Sequence, residues 1–475
     1  MCIHASRVLL LAGLIHFAAV AEADVRLPRV FGDHMVLQRD RMIPVWGWAE
    51  PGEHVTVSLC SNSASARTNG EGRWSVQLGR LPAGGPHELK VQGKNEVVCA
   101  DVMLGEVWVC SGQSNMEWTV QASANAGEEI ANGNLPLIRM IKSPHHTSTE
   151  PQDDLAGGEW QVCSPDTVAA FSAVGYFFGR ELHQQLDVPI GLLNLSWGGT
   201  RCEAWTSREA LETHSGFAAI LERTDNEQDE STPHRAAVLY NAMIAPVIPY
   251  RIRGAIWYQG ESNVGRSAQY AELFPTMIHD WRARWGQGNF PFLFVQLAPY
   301  RYGGHHPQYC AELWDSQLHT LRTVTNTGMA VTTDITLLQN IHPPNKQEVG
   351  RRLAAWALAD TYDRKQIPSG PLYRSLEIDG DTIRIDFDYA GKKLRSADGK
   401  PLSEFTIAAA NGFFLPADAT IDGATVVVHS PAIGNPVAVR FAYYDSAVPN
   451  LVNSAGLPAS PFRTDDLPLL TVGNE

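Results

Sequence analysis

Strand-then-helix alternation across residues 101–362 predicts an α/β protein with a three-layer α/β/α core, and short alternating strands before and after it predict flanking all-β sandwich regions. Three observations carry this. First, short apolar runs at 106–110, 189–195, 254–258, 292–297 and 329–333 read as buried strands. Second, Val174, Phe178 and Leu182 recur at helical spacing between them. So do Tyr270, Leu273, Phe274, Met277, Ile278, Trp281 and Trp285, as one buried stripe. Pro275 lies inside that stripe and predicts a kink or a division into two helices. Third, 55–59, 74–78 and 89–92 alternate apolar and polar, with turns at Pro51-Gly52, Asn69-Gly70 and Gly84-Gly85-Pro86. The stretches 376–378, 382–387, 405–408, 425–429 and 437–443 repeat that pattern around Asp379-Gly380 and Asp422-Gly423. The expected division is 24–100 as an N-terminal β-sandwich region, 101–362 as the α/β core domain and 366–475 as a C-terminal β region. A mostly parallel sheet covered on both faces places its ligands at the carboxyl ends of its strands.

The N-terminal 23 residues read as a targeting segment. Arg7 precedes an apolar run from Val8 to Val20, and Ala21-Glu22-Ala23 supplies small residues where a signal peptidase cuts. Cleavage after Ala23 and a secreted or periplasmic location are expected. No later stretch reaches the ~18 apolar residues of a membrane span. The net charge of −14 argues against nucleic acid or anionic membrane as the main partner. Cys60, Cys99, Cys110, Cys163, Cys202 and Cys310 remain beyond the segment, with no CxxC or Cys/His spacing, so neither a metal nor another cofactor is expected.

Three strand ends carry polar residues suited to acyl transfer. Ser111-Gly112-Gln113-Ser114-Asn115-Met116 follows the first strand, and a serine at such a corner presents its hydroxyl above the sheet beside free backbone N–H groups. Trp197-Gly198-Gly199-Thr200 follows the second, where glycines let an amide approach a ligand closely. Gln259-Gly260-Glu261-Ser262-Asn263 follows the third and offers side-chain amides. An acyl-transfer site needs two or three donors on the developing oxyanion, each worth roughly 3 kcal/mol. Finally, His342 precedes a helical pattern over 347–360, from where it can reach a serine on an early strand; His305, His306 and His319 are rivals.

These segments resemble the sialate O-acetylesterase family within the SGNH hydrolases. The resemblance extends to 30–38, to Pro44-Val45-Trp46-Gly47-Trp48 and Glu203-Ala204-Trp205, to Leu239-Tyr240-Asn241, and to Ile341-His342-Pro343 with Lys346-Gln347-Glu348-Val349-Gly350. It continues in Gly456-Leu457-Pro458-Ala459 and Pro461-Phe462-Arg463. It implies an SGNH-type (flavodoxin-like) core and a serine esterase acting on acetylated carbohydrate. It makes Ser114 the nucleophile and His342 the base, with an oxyanion hole drawn from Gly198, Gly199, Gln259 and Asn263, Gln259 slightly favoured. Where many relatives carry an orienting Asp, three or two residues before the histidine, this chain has Gln339 and Asn340. Asp334 is therefore the preferred third member, with Asp315 or a backbone carbonyl as rivals. Arg201 and Glu261 are candidate substrate contacts, and Arg266 is another cation near the site. The family name implies acetylated sialic acid; acetylated xyloglucan or xylan is the alternative. A non-catalytic carbohydrate-binding protein, its 13 tryptophans stacking on sugars, is the remote one.

Overall fold

One strand organises the molecule. In the computed structural model, which describes residues 24–474, Glu96–Gly112 runs unbroken from the N-terminal β region into the centre of the main sheet. The boundary expected at residue 100 thus falls inside a single element. Its first half pairs antiparallel with Gly84–Gln92, and its second half pairs parallel with Ile190–Ser196 on one side and Gly254–Tyr258 on the other. Phe292–Val295 and Thr327–Ala330 extend the parallel sheet beyond Gly254–Tyr258, and Ile138–Lys142 extends it beyond Ile190–Ser196. Gln161–Val162 closes that edge antiparallel. The expectation for residues 1–23 lies outside the described residues.

The pleat sends alternate side chains of the central strands to opposite helical layers. Trp108 meets Phe178 of the Ala173–Leu186 helix, with ring centroids 5.0 Å apart. Trp257, of opposite parity in the paired register, packs against Phe274 and Trp281 of the Ser267–Trp285 helix. That helix runs its full 19 residues with Pro275 inside it, so the division into two is not observed. The buried stripe on both sides of the proline holds the two halves together despite the lost backbone bond.

The expected flanking strands form. His54–Leu59, Arg73–Leu78 and Gly84–Gln92 lie in front of the core. Behind it, two four-stranded antiparallel sheets face each other through Phe387, Phe441 and Phe462. Fully buried Glu106 ties the N-terminal region to the core by accepting from Gln38, Arg39 and Arg253. Burial alone would push its carboxyl up, but Arg253, Arg39 and Gln38 outweigh it and hold it below the usual range. Among the described residues the six cysteines form no disulfide.

The chain order of the parallel strands matters for function. After Glu96–Gly112 the chain builds one side of the sheet, then crosses to build the other. Glu96–Gly112 and its two neighbours therefore mark a topological switch point, where a crevice opens at the carboxyl ends. The register brings those ends level: Gly112 pairs with both Ser196 and Tyr258.

Candidate active site

Three polar turns emerge side by side from those level ends. Gly112 sits at φ 136°, and a β-carbon there would lie 2.2 Å from the Tyr258 carbonyl oxygen, so only glycine lets the strand turn this closely. Gln113 N–H donates to Tyr258 O and Trp197 N–H donates to Gly112 O, which staples all three turns together. Ser114 then opens a short helix, Ser114–Glu117. Ser172, the N-cap of the Ala173–Leu186 helix, donates its hydroxyl to Met116 O at 2.6 Å and so anchors the turn from below.

His342 arrives from the far end of the sheet, on the loop before the Lys346–Trp356 helix. Its Nε2 lies 2.8 Å from Ser114 Oγ. Both residues are half-buried, so the pair is open to a ligand. The imidazole stacks on Trp118 at 4.7 Å, and its backbone N–H donates to Asn340 Oδ1 at 2.9 Å. Burial, and then the charge of Lys346, push the imidazole pKa below the ordinary histidine value. A neutral imidazole against a hydroxyl is a general base poised on a nucleophile.

Two backbone donors on these turns are free. Among the described residues the N–H groups of Ser114 and Gly199 make no hydrogen bond. Gly198 approaches Ser114 so closely that a β-carbon on it would lie 3.3 Å from Ser114 Cβ. Its N–H donates at 2.8 Å to Glu117, whose other oxygen meets His145 Nε2. His145 in turn stacks on Trp197 at 4.2 Å.

Residues 104–359 match the carbohydrate esterase family described as sialic acid-specific acetylesterase. The chain belongs to that family. It is 30% identical to the sialate O-acetylesterase of Mus musculus, over 92% of this chain and 94% of the mouse protein. It is also 30% identical to that of Homo sapiens, over 92% of each. A solved carbohydrate acetylesterase from Xanthomonas citri is 39% identical, with a TM-score of 0.87 over 93% of this chain and 100% of that one. The chain is accordingly a carboxylic ester hydrolase with the core that the resemblance implies.

In this member of the acetylesterase family, several expected roles fall elsewhere. Asp334 does not reach His342. Both of its oxygens are taken by Arg352, at 2.6 and 2.7 Å, because that guanidinium is 6% exposed and needs a counter-charge. Asp315 does not supply the third group either; it lies in the field of Arg463 and Arg322. No carboxylate or backbone carbonyl meets His342 Nδ1 among the described residues. Gln259 is not an available donor: its Nε2 donates to Thr200 O and Asn263 Oδ1, and its Oε1 accepts from Tyr270. Asn263 is buried too, donating to Glu203 and accepting from Cys202 N–H. These amides brace the glycine turn from behind instead of facing a ligand. Arg266 pairs with Glu203 at 2.7 Å. Arg201 makes no ion pair among the described residues and lines a cavity of about 670 Å³ with His234 and Arg235. Glu261 lies beneath the site, bonded to Asn115 at 2.5 Å.

Sequence reasoning assigned no role to Asn115, Glu117, Trp118 or Lys346, although each lies in or beside a quoted motif. Asn115 directly follows Ser114, and Lys346 opens the helix that the His342 loop leads into, which is the signal that could have marked them.

The pairing of Asp334 leads to a prediction. Asp334→Asn should cost about 1–2 kcal/mol of stability by leaving Arg352 undercompensated. Its kcat should stay within about twofold of the parent. Thermal melting and acetate-release kinetics on the purified variant check both, and a loss of about 10³-fold in kcat would return Asp334 to the catalytic group.

Proposed function

We propose that this enzyme removes acetyl groups from sugar hydroxyls through an acetyl-serine intermediate, and that it does so after export directed by residues 1–23. The observation that carries the chemistry is the 2.8 Å contact between Ser114 Oγ and His342 Nε2 above three level strand ends. His342 Nε2 takes the Ser114 proton as Oγ bonds to the acetyl carbon. The N–H groups of Ser114 and Gly199 receive the negative charge that moves onto the carbonyl oxygen. The imidazolium then gives its proton to the sugar oxygen as the ester bond breaks. Water, deprotonated by His342, attacks the acetyl-serine, and acetate leaves with Ser114 re-protonated.

As substrate we propose O-acetylated sialic acid. The curated relatives carry that activity in their names, and Arg201, three residues past Gly198 and in no ion pair among the described residues, offers a cation for a sugar carboxylate. The test compares acetate release from O-acetylated sialic acid and from acetylated xyloglucan, with 4-nitrophenyl acetate as a neutral control. Release from the sialic acid, lowered by Arg201→Ala while the control ester is unaffected, is expected. Release from xyloglucan alone would assign the enzyme to plant polysaccharide. Release from neither sugar would overturn the reading.

A further inference from the structure

Among the described residues the Ser114–His342 pair has no acidic third member, yet its two residues come from loops 228 positions apart in the chain. A rigid imidazole without a carboxylate behind it needs another source of order. Directly beneath the pair lies a buried chain of three polar side chains that hydrolysis itself does not use.

Asn115, 1% exposed, is its centre. Its Nδ2 donates to the Ile341 carbonyl at 3.0 Å, the peptide just before His342, and also to Glu261 Oε1 at 2.5 Å. Its Oδ1 accepts from Lys346 Nζ. Lys346 is 0% exposed and lies between the rings of Trp118 and Tyr258, 5.9 and 5.2 Å from their centroids. Trp118 is the ring on which His342 stacks. The second Glu261 oxygen is buried, with no hydrogen-bond partner among the described residues. One amide thus joins the residue after the nucleophile, the peptide before the base, a buried cation and a buried carboxylate.

We propose that Lys346, Asn115 and Glu261 form a positioning network that takes over the orienting role of a carboxylate, locking the nucleophile turn to the histidine loop, and that places one positive charge under the imidazole. The inference rests on the Ser114–His342 reading of the reaction. None of the three touches substrate; each acts through the loop or through the charge.

The charge makes the idea testable. Lys346 is the charged group that lowers the His342 pKa, after burial. The groups facing Lys346 are Asn115, Glu261, Trp118 and Tyr258. Glu261 in turn faces Tyr258, Tyr302 and Cys310, all kept neutral by burial. Burial lowers the Lys346 pKa to about 7, and Glu261 works against that fall. Near neutrality Lys346 therefore holds its proton only with the help of Glu261.

The sign follows. A base works deprotonated, so kcat/KM is lost as pH falls through the His342 pKa. In the parent that acidic limb lies below the ordinary histidine range. Lys346→Met removes the positive charge, so the His342 pKa rises and the limb moves to higher pH. Glu261→Gln leaves Lys346 less charged and moves the limb the same way by less. Both variants should also lose about 10- to 100-fold in kcat, with KM nearly unchanged, because the base is held less firmly. The experiment is a kcat/KM profile on 4-nitrophenyl acetate from about pH 5 to 9, with thermal melting to confirm folding. If Lys346→Met does not fold, the Glu261→Gln profile decides. Folded variants with the parent's limb and kcat would overturn the network. A Ser114→Ala variant that keeps activity would instead overturn the underlying reaction, so the two failures are distinguishable.

Discussion

Replacing Ser114 by Ala should lower acetate release by at least about 10⁴-fold, with the fold and melting temperature retained. The side chain removed is half-buried and, among the described residues, bonded only to His342, so little packing is lost with it. His342→Ala should lose a comparable factor, because a serine hydroxyl without a base is a poor nucleophile at neutral pH. The double variant should lose hardly more than either single one, since the pair acts as a unit. What rate is left comes from the backbone donors and from substrate binding. Steady-state acetate release from the three variants checks this. Additive losses would mean that the two residues serve separate steps.

The second large effect is on structure. Gly112→Ala should destabilise the enzyme by at least about 3 kcal/mol and abolish activity in whatever still folds. Gly112 has φ 136°, where L side chains are strained, and its β-carbon would overlap the Tyr258 carbonyl at 2.2 Å. Relief would require separating the central strand from Gly254–Tyr258, at the level where the nucleophile turn is stapled to both neighbours. By contrast, Gly70→Ala, where a β-carbon meets nothing within 4 Å, should be nearly neutral. Chemical denaturation of both variants measures the difference, and equal stability would contradict the close-approach argument.

The fold was legible wherever one period dominated. The Ala173–Leu186 and Ser267–Trp285 helices and the strands Thr382–Asp388, Phe405–Ala408 and Thr425–His429 follow from side-chain spacing alone. The length of Glu96–Gly112 was not legible, because Glu96, Asp101 and Glu106 break its apolar pattern into what reads as a short run. Asp101 is held by Arg139 and His34, and Glu106 by Arg253, Arg39 and Gln38, all distant in the chain. The meeting of Ser114 with His342 was legible, as polar residues at strand and loop ends. The accessory roles were not, for one physical reason: an amide or carboxylate in a turn reads alike whether it faces a ligand or a neighbour. Gln259 turned inward to Thr200 and Asn263, Asp334 turned to Arg352, and Lys346, on a helix's first turn where solvent exposure is the usual fate, is buried against Asn115.

The central claim is a covalent bond between Ser114 and the acetyl carbon, formed with His342 taking the proton. Acid-quenching the enzyme during turnover of an acetyl ester, then digesting it and weighing the peptides, tests that bond directly. The account predicts a transient gain of one acetyl group on the peptide carrying Ser114, absent in Ser114→Ala and abolished by omitting the ester. Rapid turnover with no acetyl group on that peptide, or with the group on another residue, would contradict it.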